Sequence, residues 1–144
     1  KEKKEKKLNS TIVILFNHDS KFRNKRFLLP RLINSIKKNK IKFIKEIYQQ
    51  NINGDFSHAE DICNAIYLLI KKNLNPDKII LSSGERTYIN DTIDYFIPDF
   101  KYKNSKMKLS VTKGLVGNNI KSVKILKWKI KKKHLDAAIE IYNS

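Results

Sequence analysis

Glycine is scarce in this chain. Among 144 residues there are four, none adjacent to another, and no Gly-x-x-Gly-x-x-Gly pattern occurs. A dinucleotide-binding turn needs clustered glycines so that backbone can approach the pyrophosphate. The chain therefore brings no such turn of its own. Cysteine is scarcer still. Cys63 stands alone, which excludes an internal disulfide and fits a reducing cytoplasm. On its predicted helix it reads as a buried, inert thiol. No segment reaches the ~20 consecutive apolar residues of a membrane span, and no signal peptide is visible. Carboxylates are few: 14 Asp and Glu stand against 31 Lys and Arg, a formal charge of +17.

Such a charge invites a nucleic acid or an anionic membrane as partner. The distribution weakens both readings. Lysines run along the whole chain, together with abundant Asn and Ile, the joint enrichment that AT-rich coding produces. Basic and aromatic residues interleave at Lys101-Tyr102-Lys103 and Lys127-Trp128-Lys129, a weak hint of stacking against bases. A basic surface would equally attract a phosphorylated substrate. The length fits one domain with a real core. The first residue is Lys, within the charged run Lys1 to Lys7, and this suggests a piece of a longer protein.

What is present begins at Thr11. The apolar run to Phe16 predicts a strand buried on both faces. It stops at Asn17-His18-Asp19-Ser20, read as a polar turn at the carboxyl end of the strand, where open α/β sheets bind ligands. The spacing then predicts a helix over Phe27 to Lys38, with Pro30 tolerated in its first turn, and a short strand over Lys42 to Tyr48. The clearest helix is His58 to Lys72. Ser57 or His58 is its N-cap, Glu60 and Asp61 lie in its first turn, and Ile62, Ala65, Ile66, Leu69 and Ile70 form its inward face. A strand over Lys78 to Ser82, a helix over Ile89 to Phe96, a strand over Met107 to Thr112, and helices over Asn118 to Leu126 and Lys132 to Tyr142 complete the reading. Lys1 to Asn9 reads as a solvated helix end. The order of elements argues an α/β fold. Asp55, His58 and Asp61 read as structural, and no spacing among His58, Asp61 and Cys63 makes a metal site.

Four segments, in order, carry a resemblance: Leu15 to Ser20, Asp55 to Asp61, Ser82-Ser83-Gly84-Glu85, and Leu126-Lys127-Trp128-Lys129. They resemble the Leu-Phe-Asn-His-Glu-Ser, Asp-Trp-Gly-His-Ala-(Lys/Glu)-Asp, Ala-Thr-Gly-Glu and Leu-Gly/Asn-Trp-Lys/Arg-Pro patterns of the GDP-mannose 4,6-dehydratase family. These are extended short-chain dehydrogenase/reductases acting on nucleotide sugars. The resemblance implies the carboxy-terminal part of a Rossmann-type α/β fold with its small substrate-binding lobe. Residues 1–144 would then be a partial NAD(P)-binding epimerase/dehydratase domain without its cofactor-binding half. The family's catalytic Tyr-x-x-x-Lys lies shortly before the Phe-Asn-His strand, so it would fall upstream of Lys1 and is expected to be missing here.

By the same resemblance, Asn17 and Arg31 would contact the nucleotide-sugar substrate, and His18 and Arg23 would line the cofactor. No catalytic residue and no metal ligand is implied within the chain. The intact family reaction oxidises the sugar at C4 with NADP or NAD, eliminates water across C5–C6 and returns the hydride. The chain alone would be inactive. The implied partners are a nucleotide sugar, the missing cofactor half and further copies in a homo-oligomer, in the cytoplasm and without a membrane. Two departures bear on the substrate: Gly54 stands where the family has a basic residue, and Val111-Thr112-Lys113-Gly114 where it has Arg-Pro-Thr-Glu. They spare the nucleotide-sugar class more than GDP-mannose itself. Another epimerase or reductase of the family, a stand-alone binding or assembly module, and a basic nucleic-acid-binding domain remain as alternatives.

Overall fold

The computed structural model describes residues 10–144. The expected helix end over Lys1 to Asn9 lies outside the described residues. Strand β1 (Ile12–Leu15) runs parallel to β5 (Lys78–Leu81), with Ile12 opposite Lys78 and Leu15 opposite Leu81. One residue later the chain pairs again. Strand β2 (Asn17–Asp19) lies parallel to β4 (Phe56–His58), and β3 (Asn53–Gly54) is antiparallel to β6 (Thr87–Tyr88). The polar stretch expected to be a turn is thus a second short strand, because Phe56 to His58 supplies it with a backbone partner.

Seven helices accompany these strands among the described residues: α1 (Leu28–Lys37), α2 (Ile41–Gln50), α3 (Ala59–Lys71), α4 (Ile89–Phe96), α5 (Phe100–Lys103), α6 (Ile120–Leu126) and α7 (His134–Tyr142). Pro30 sits in the first turn of α1. His58 is the N-cap of α3; its Nδ1 accepts the Glu60 backbone N–H at 3.1 Å. With so few glycines, asparagine supplies the left-handed residue where helices end. Asn39, Asn51 and Asn73 all have positive φ, just past α1, α2 and α3.

Several expectations fail for identifiable reasons. Lys42 to Tyr48 is part of α2, not a strand: Ile44, Ile47 and Tyr48 are buried at helical spacing. Met107 to Thr112 forms no strand. It runs alongside α2 as irregular chain, with the Ser110 N–H donating to the Gln49 carbonyl. Cys63 is exposed, because Ile62, Ala65 and Leu69 turn the opposite face of α3 inward. Ile70 also faces outward, 74% exposed. Finally, β1 is not covered on both faces: Ile12 is 62% exposed and Leu15 43%.

The core forms three clusters. Leu32, Ile44, Ile47, Tyr48, Ile89, Ile93 and Phe100 pack α1, α2, α4 and α5 against Phe56. Ile62, Ala65, Leu69, Ile79, Leu81, Leu126 and Trp128 join α3, β5 and α6. Ala137 and Ala138 bring α7 close to Leu29 and Ile33 of α1. These clusters position the loops that follow β2 and β5 and the start of α3 after β4.

Candidate functional site

The fold brings the separate sequence segments together. Asn17 lies opposite Phe56 in the β2–β4 ladder, and His18 lies opposite Ser57. The Asn17 amide donates to the Asp55 carbonyl at 3.5 Å. Asp55 itself is fully buried and is the centre of the arrangement. Its Oδ1 accepts from the Ser83 N–H at 2.8 Å and the Ser83 hydroxyl at 2.6 Å. Its Oδ2 accepts from the Gly84 N–H at 2.9 Å and the Gly117 N–H at 3.1 Å. One carboxylate therefore ties the loop after β5 and the 112–117 segment to the end of β3.

The side chain of Asn17 is at the surface beyond this hub. His18 is half-buried. Its Nδ1 lies 2.8 Å from the Phe16 carbonyl; it donates there, and Nε2 is left as an acceptor for a ligand. Asp19 is buried, and burial raises its carboxyl above the usual range despite the opposing charge of Arg23. Arg23 Nε lies 3.7 Å from Asp19 Oδ1, and its guanidinium covers the Phe27 ring at 3.7 Å. A cleft of about 350 Å³ beside it carries Lys21, Arg23, Lys25, Lys37 and Lys38. Five cations at one cleft suit a phosphate-bearing ligand. Arg31, exposed in the first turn of α1, has its guanidinium over the Phe43 ring at 4.6 Å. No contact with Asn17 or His18 is among those of Arg31 in the described residues.

Residues that sequence reasoning passed over complete the site. Asn53 holds Thr112 through its amide, donating to the carbonyl at 3.0 Å and the hydroxyl at 2.8 Å. Arg86 bonds the Asn53 side chain and donates to the Gly114 carbonyl at 2.9 Å. A Cβ at Gly114 would sit 1.8 Å from the Asn53 carbonyl oxygen, so only glycine fits. Asp61 accepts the Lys131 and Lys132 N–H groups at 2.9 and 2.8 Å, which matches its structural reading. So does His58: its Nδ1 is an acceptor, so its proton sits on Nε2, 3.1 Å from Glu140 on α7. No group of three metal-ligating side chains is found among the described residues.

The spacing Tyr-x-x-x-Lys, expected to be missing, does occur twice, at Tyr67–Lys71 and Tyr102–Lys106. Both tyrosines are exposed. Lys71 lies over the Tyr67 ring at 5.6 Å on α3, and no contact joins either pair to the Asn17–His18 edge among the described residues. Phe22, 86% exposed within the basic 20–27 loop, is a further basic-aromatic feature not singled out from sequence. No helix among the described residues is long and apolar enough to cross a membrane.

Comparison with known proteins agrees with this geometry. The family model for GDP-mannose 4,6 dehydratase matches residues 2–139. A search of the curated proteins finds no match. Among solved structures, RMD from Pseudomonas aeruginosa, complexed with NADPH, superposes with a TM-score of 0.72 at 13% identity, covering 99% of this chain and 49% of that one. UDP-glucuronic acid 4-epimerase from Bacillus cereus, with NAD, gives 0.74 at 14%, covering 98% and 46%. dTDP-glucose 4,6-dehydratase from Bacillus anthracis, with NAD, gives 0.73 at 13%, also covering 98% and 46%. The chain thus spans about half the length of these structures. With the family model matching nearly its whole length, the chain belongs to the GDP-mannose 4,6-dehydratase family and has the α/β fold of the extended short-chain dehydrogenases.

Proposed function

We propose that this chain is the substrate side of a nucleotide-sugar dehydratase, most similar to GDP-mannose 4,6-dehydratase, and that it does not turn over alone. The observation that carries the reading is the convergence of the segments around Asp55. Leu15 to Ser20, Asp55 to Asp61 and Ser82 to Glu85 are far apart in sequence yet share one hydrogen-bonded edge. In this role Asn17 positions the sugar by donating to and accepting from its oxygens. Arg31, at a helix start, binds the diphosphate. His18 Nε2 and Arg23 form part of the cofactor-side wall. The chain has no glycine-rich turn for a pyrophosphate, so the nicotinamide cofactor, which supplies the hydride chemistry, would be held mainly by a complementary half.

The test is calorimetric titration of the completed protein with GDP-mannose and a UDP-sugar at two salt concentrations. Arg31→Ala is expected to weaken binding by about 1.5–3 kcal/mol, the range for a hydrogen bond to a charged group. Asn17→Ala is expected to lower turnover more than binding, since misplacing the sugar penalises the reacting geometry. A basic nucleic-acid-binding domain would instead bind duplex DNA steeply with salt, spread over many lysines. Tight duplex binding with no sugar-nucleotide binding would overturn the proposal.

A further inference from the structure

We propose that the cavity beside His134 is a binding site for a small uncharged polyol, whose hydroxyls satisfy the imidazole. The cavity holds about 180 Å³ and lies between the loop after β5, β6, the first turn of α4 and the start of α7. None of Asn17, His18, Arg23 and Arg31 lines it, so the inference does not rest on the nucleotide-sugar reading.

His134 carries the argument. The residue is 4% exposed, and no hydrogen-bond partner reaches either ring nitrogen among the described residues. The Phe56 ring packs against the imidazole, with centroids 5.1 Å apart and planes at 51°. Buried polar side chains are nearly always hydrogen-bonded. An imidazole with two unpartnered nitrogens at a cavity wall therefore points to a ligand there. A half-turn of the ring about Cβ–Cγ exchanges nitrogen and carbon positions without changing its outline, so either ring edge can be presented to the cavity.

The walls select the chemistry of the ligand. Burial holds the imidazole neutral, its pKa lowered to about 4. A neutral imidazole offers one donor and one acceptor, and a hydroxyl both donates and accepts in return. Thr87 and Thr92 add hydroxyls of the same kind. The rim carries both signs, Glu85 and Asp91 beside Lys132 and Lys133, so neither an anion nor a cation is selected. Burying an ion against an uncharged ring also costs more than burying hydroxyls. Phe56, Ile130 and Leu135 supply an apolar wall for the C–H groups. Size sets the upper bound. A cavity of about 150 Å³ holds benzene, so one six-membered ring fits here and a nucleotide does not.

The test is an NMR titration of the completed, isotope-labelled protein with myo-inositol, inorganic phosphate and ammonium chloride in turn. Polyols stabilise proteins non-specifically by exclusion from their surface, so the readout is the His134 ring resonance rather than a melting temperature. Inositol should shift His134 saturably, with a Kd on the order of 1–10 mM for so few buried atoms, and leave His58 in place. Asp91→Ala, at the exposed rim, should weaken that binding about threefold or more. His134→Phe keeps an aromatic ring against Phe56 and should weaken it at least about tenfold, read from the Thr87 and Thr92 amides. No saturable shift, an equal response to phosphate or ammonium, or undiminished inositol binding in Asp91→Ala or His134→Phe overturns the site. So does GDP-mannose that moves His134 as inositol does, which would make the cavity part of the sugar-nucleotide site.

Discussion

Replacing Asp55 with asparagine preserves the shape of the side chain and removes its charge. Asp55 is fully buried, and the Ser83, Gly84 and Gly117 N–H groups all donate to its carboxylate. If the new carbonyl oxygen takes the Oδ1 position, it retains the Ser83 N–H and hydroxyl donors. The new NH2 then faces the Gly84 and Gly117 N–H groups, which are both donors. Flipping the amide strands the Ser83 N–H instead; the Ser83 hydroxyl can turn to the Glu85 carbonyl at 3.2 Å. A buried donor without an acceptor costs about 1–3 kcal/mol. The two donors share one partner, so their costs do not simply add. The cheaper orientation prevails, so the expected loss is about 1–3 kcal/mol for Asp55→Asn, and more for Asp55→Ala, which removes both acceptor oxygens. Against a typical stability of about 5–15 kcal/mol, this is a large fraction. Urea unfolding followed by circular dichroism reads it as a lower midpoint at constant slope. A loss below about 1 kcal/mol would refute Asp55 as the hub and, with it, the claim that the converging segments depend on one carboxylate.

Two further outcomes follow from burial and close contact. His134 is 4% exposed, neither ring nitrogen has a hydrogen-bond partner among the described residues, and burial lowers its pKa from 6.5 to about 4. The folded pKa lies below the unfolded one, so stability is full above about pH 6.5, falls as pH drops, and is lowered by about 3 kcal/mol below pH 4. Urea midpoints across pH 4–7 should show this slope, and His134→Phe should flatten it; an equal slope in the variant contradicts the assignment. Gly114→Ala places a Cβ against the Asn53 carbonyl and should destabilise by about 2 kcal/mol or more, read as a lower melting temperature; an unchanged melt would mean the 112–117 segment does not pack as described.

Local pattern carried most of the fold into view. The helices α1, α3 and α4 follow from apolar spacing, and the N-cap of α3 from a polar residue before an acidic first turn. Helix α2 is ambiguous in the sequence because Lys42 to Tyr48 is short and Phe43 and Ile44 are adjacent, a pattern that fits either period. The apolar run of β1 signals the strand but not its burial: Ile12 and Leu15 lie exposed. Cys63 looked buried by residue type, while its position on α3 relative to Ile62 turned it outward. At the site, Asn17 and His18 were legible as polar residues ending an apolar run. The Asp55 hub was not, because its partners, Ser83, Gly84 and Gly117, lie 28 to 62 residues away, and such pairing has no local signature. Gly114 and Arg86 share that limit: a close approach to Asn53 across the fold leaves a lone glycine and an ordinary arginine in the sequence.

The central claim, as proposed above, is that Asn17 and Arg31 of this chain contact a nucleotide sugar. Its most direct test is a two-dimensional NMR titration of the isotope-labelled completed protein with GDP-mannose, and in parallel with a short DNA duplex. The account predicts shifts concentrated at Asn17 and Arg31, saturating with the sugar nucleotide and lost in Arg31→Ala. Shifts that avoid these residues, or a response to the duplex spread over the lysines with none to the sugar nucleotide, would contradict it.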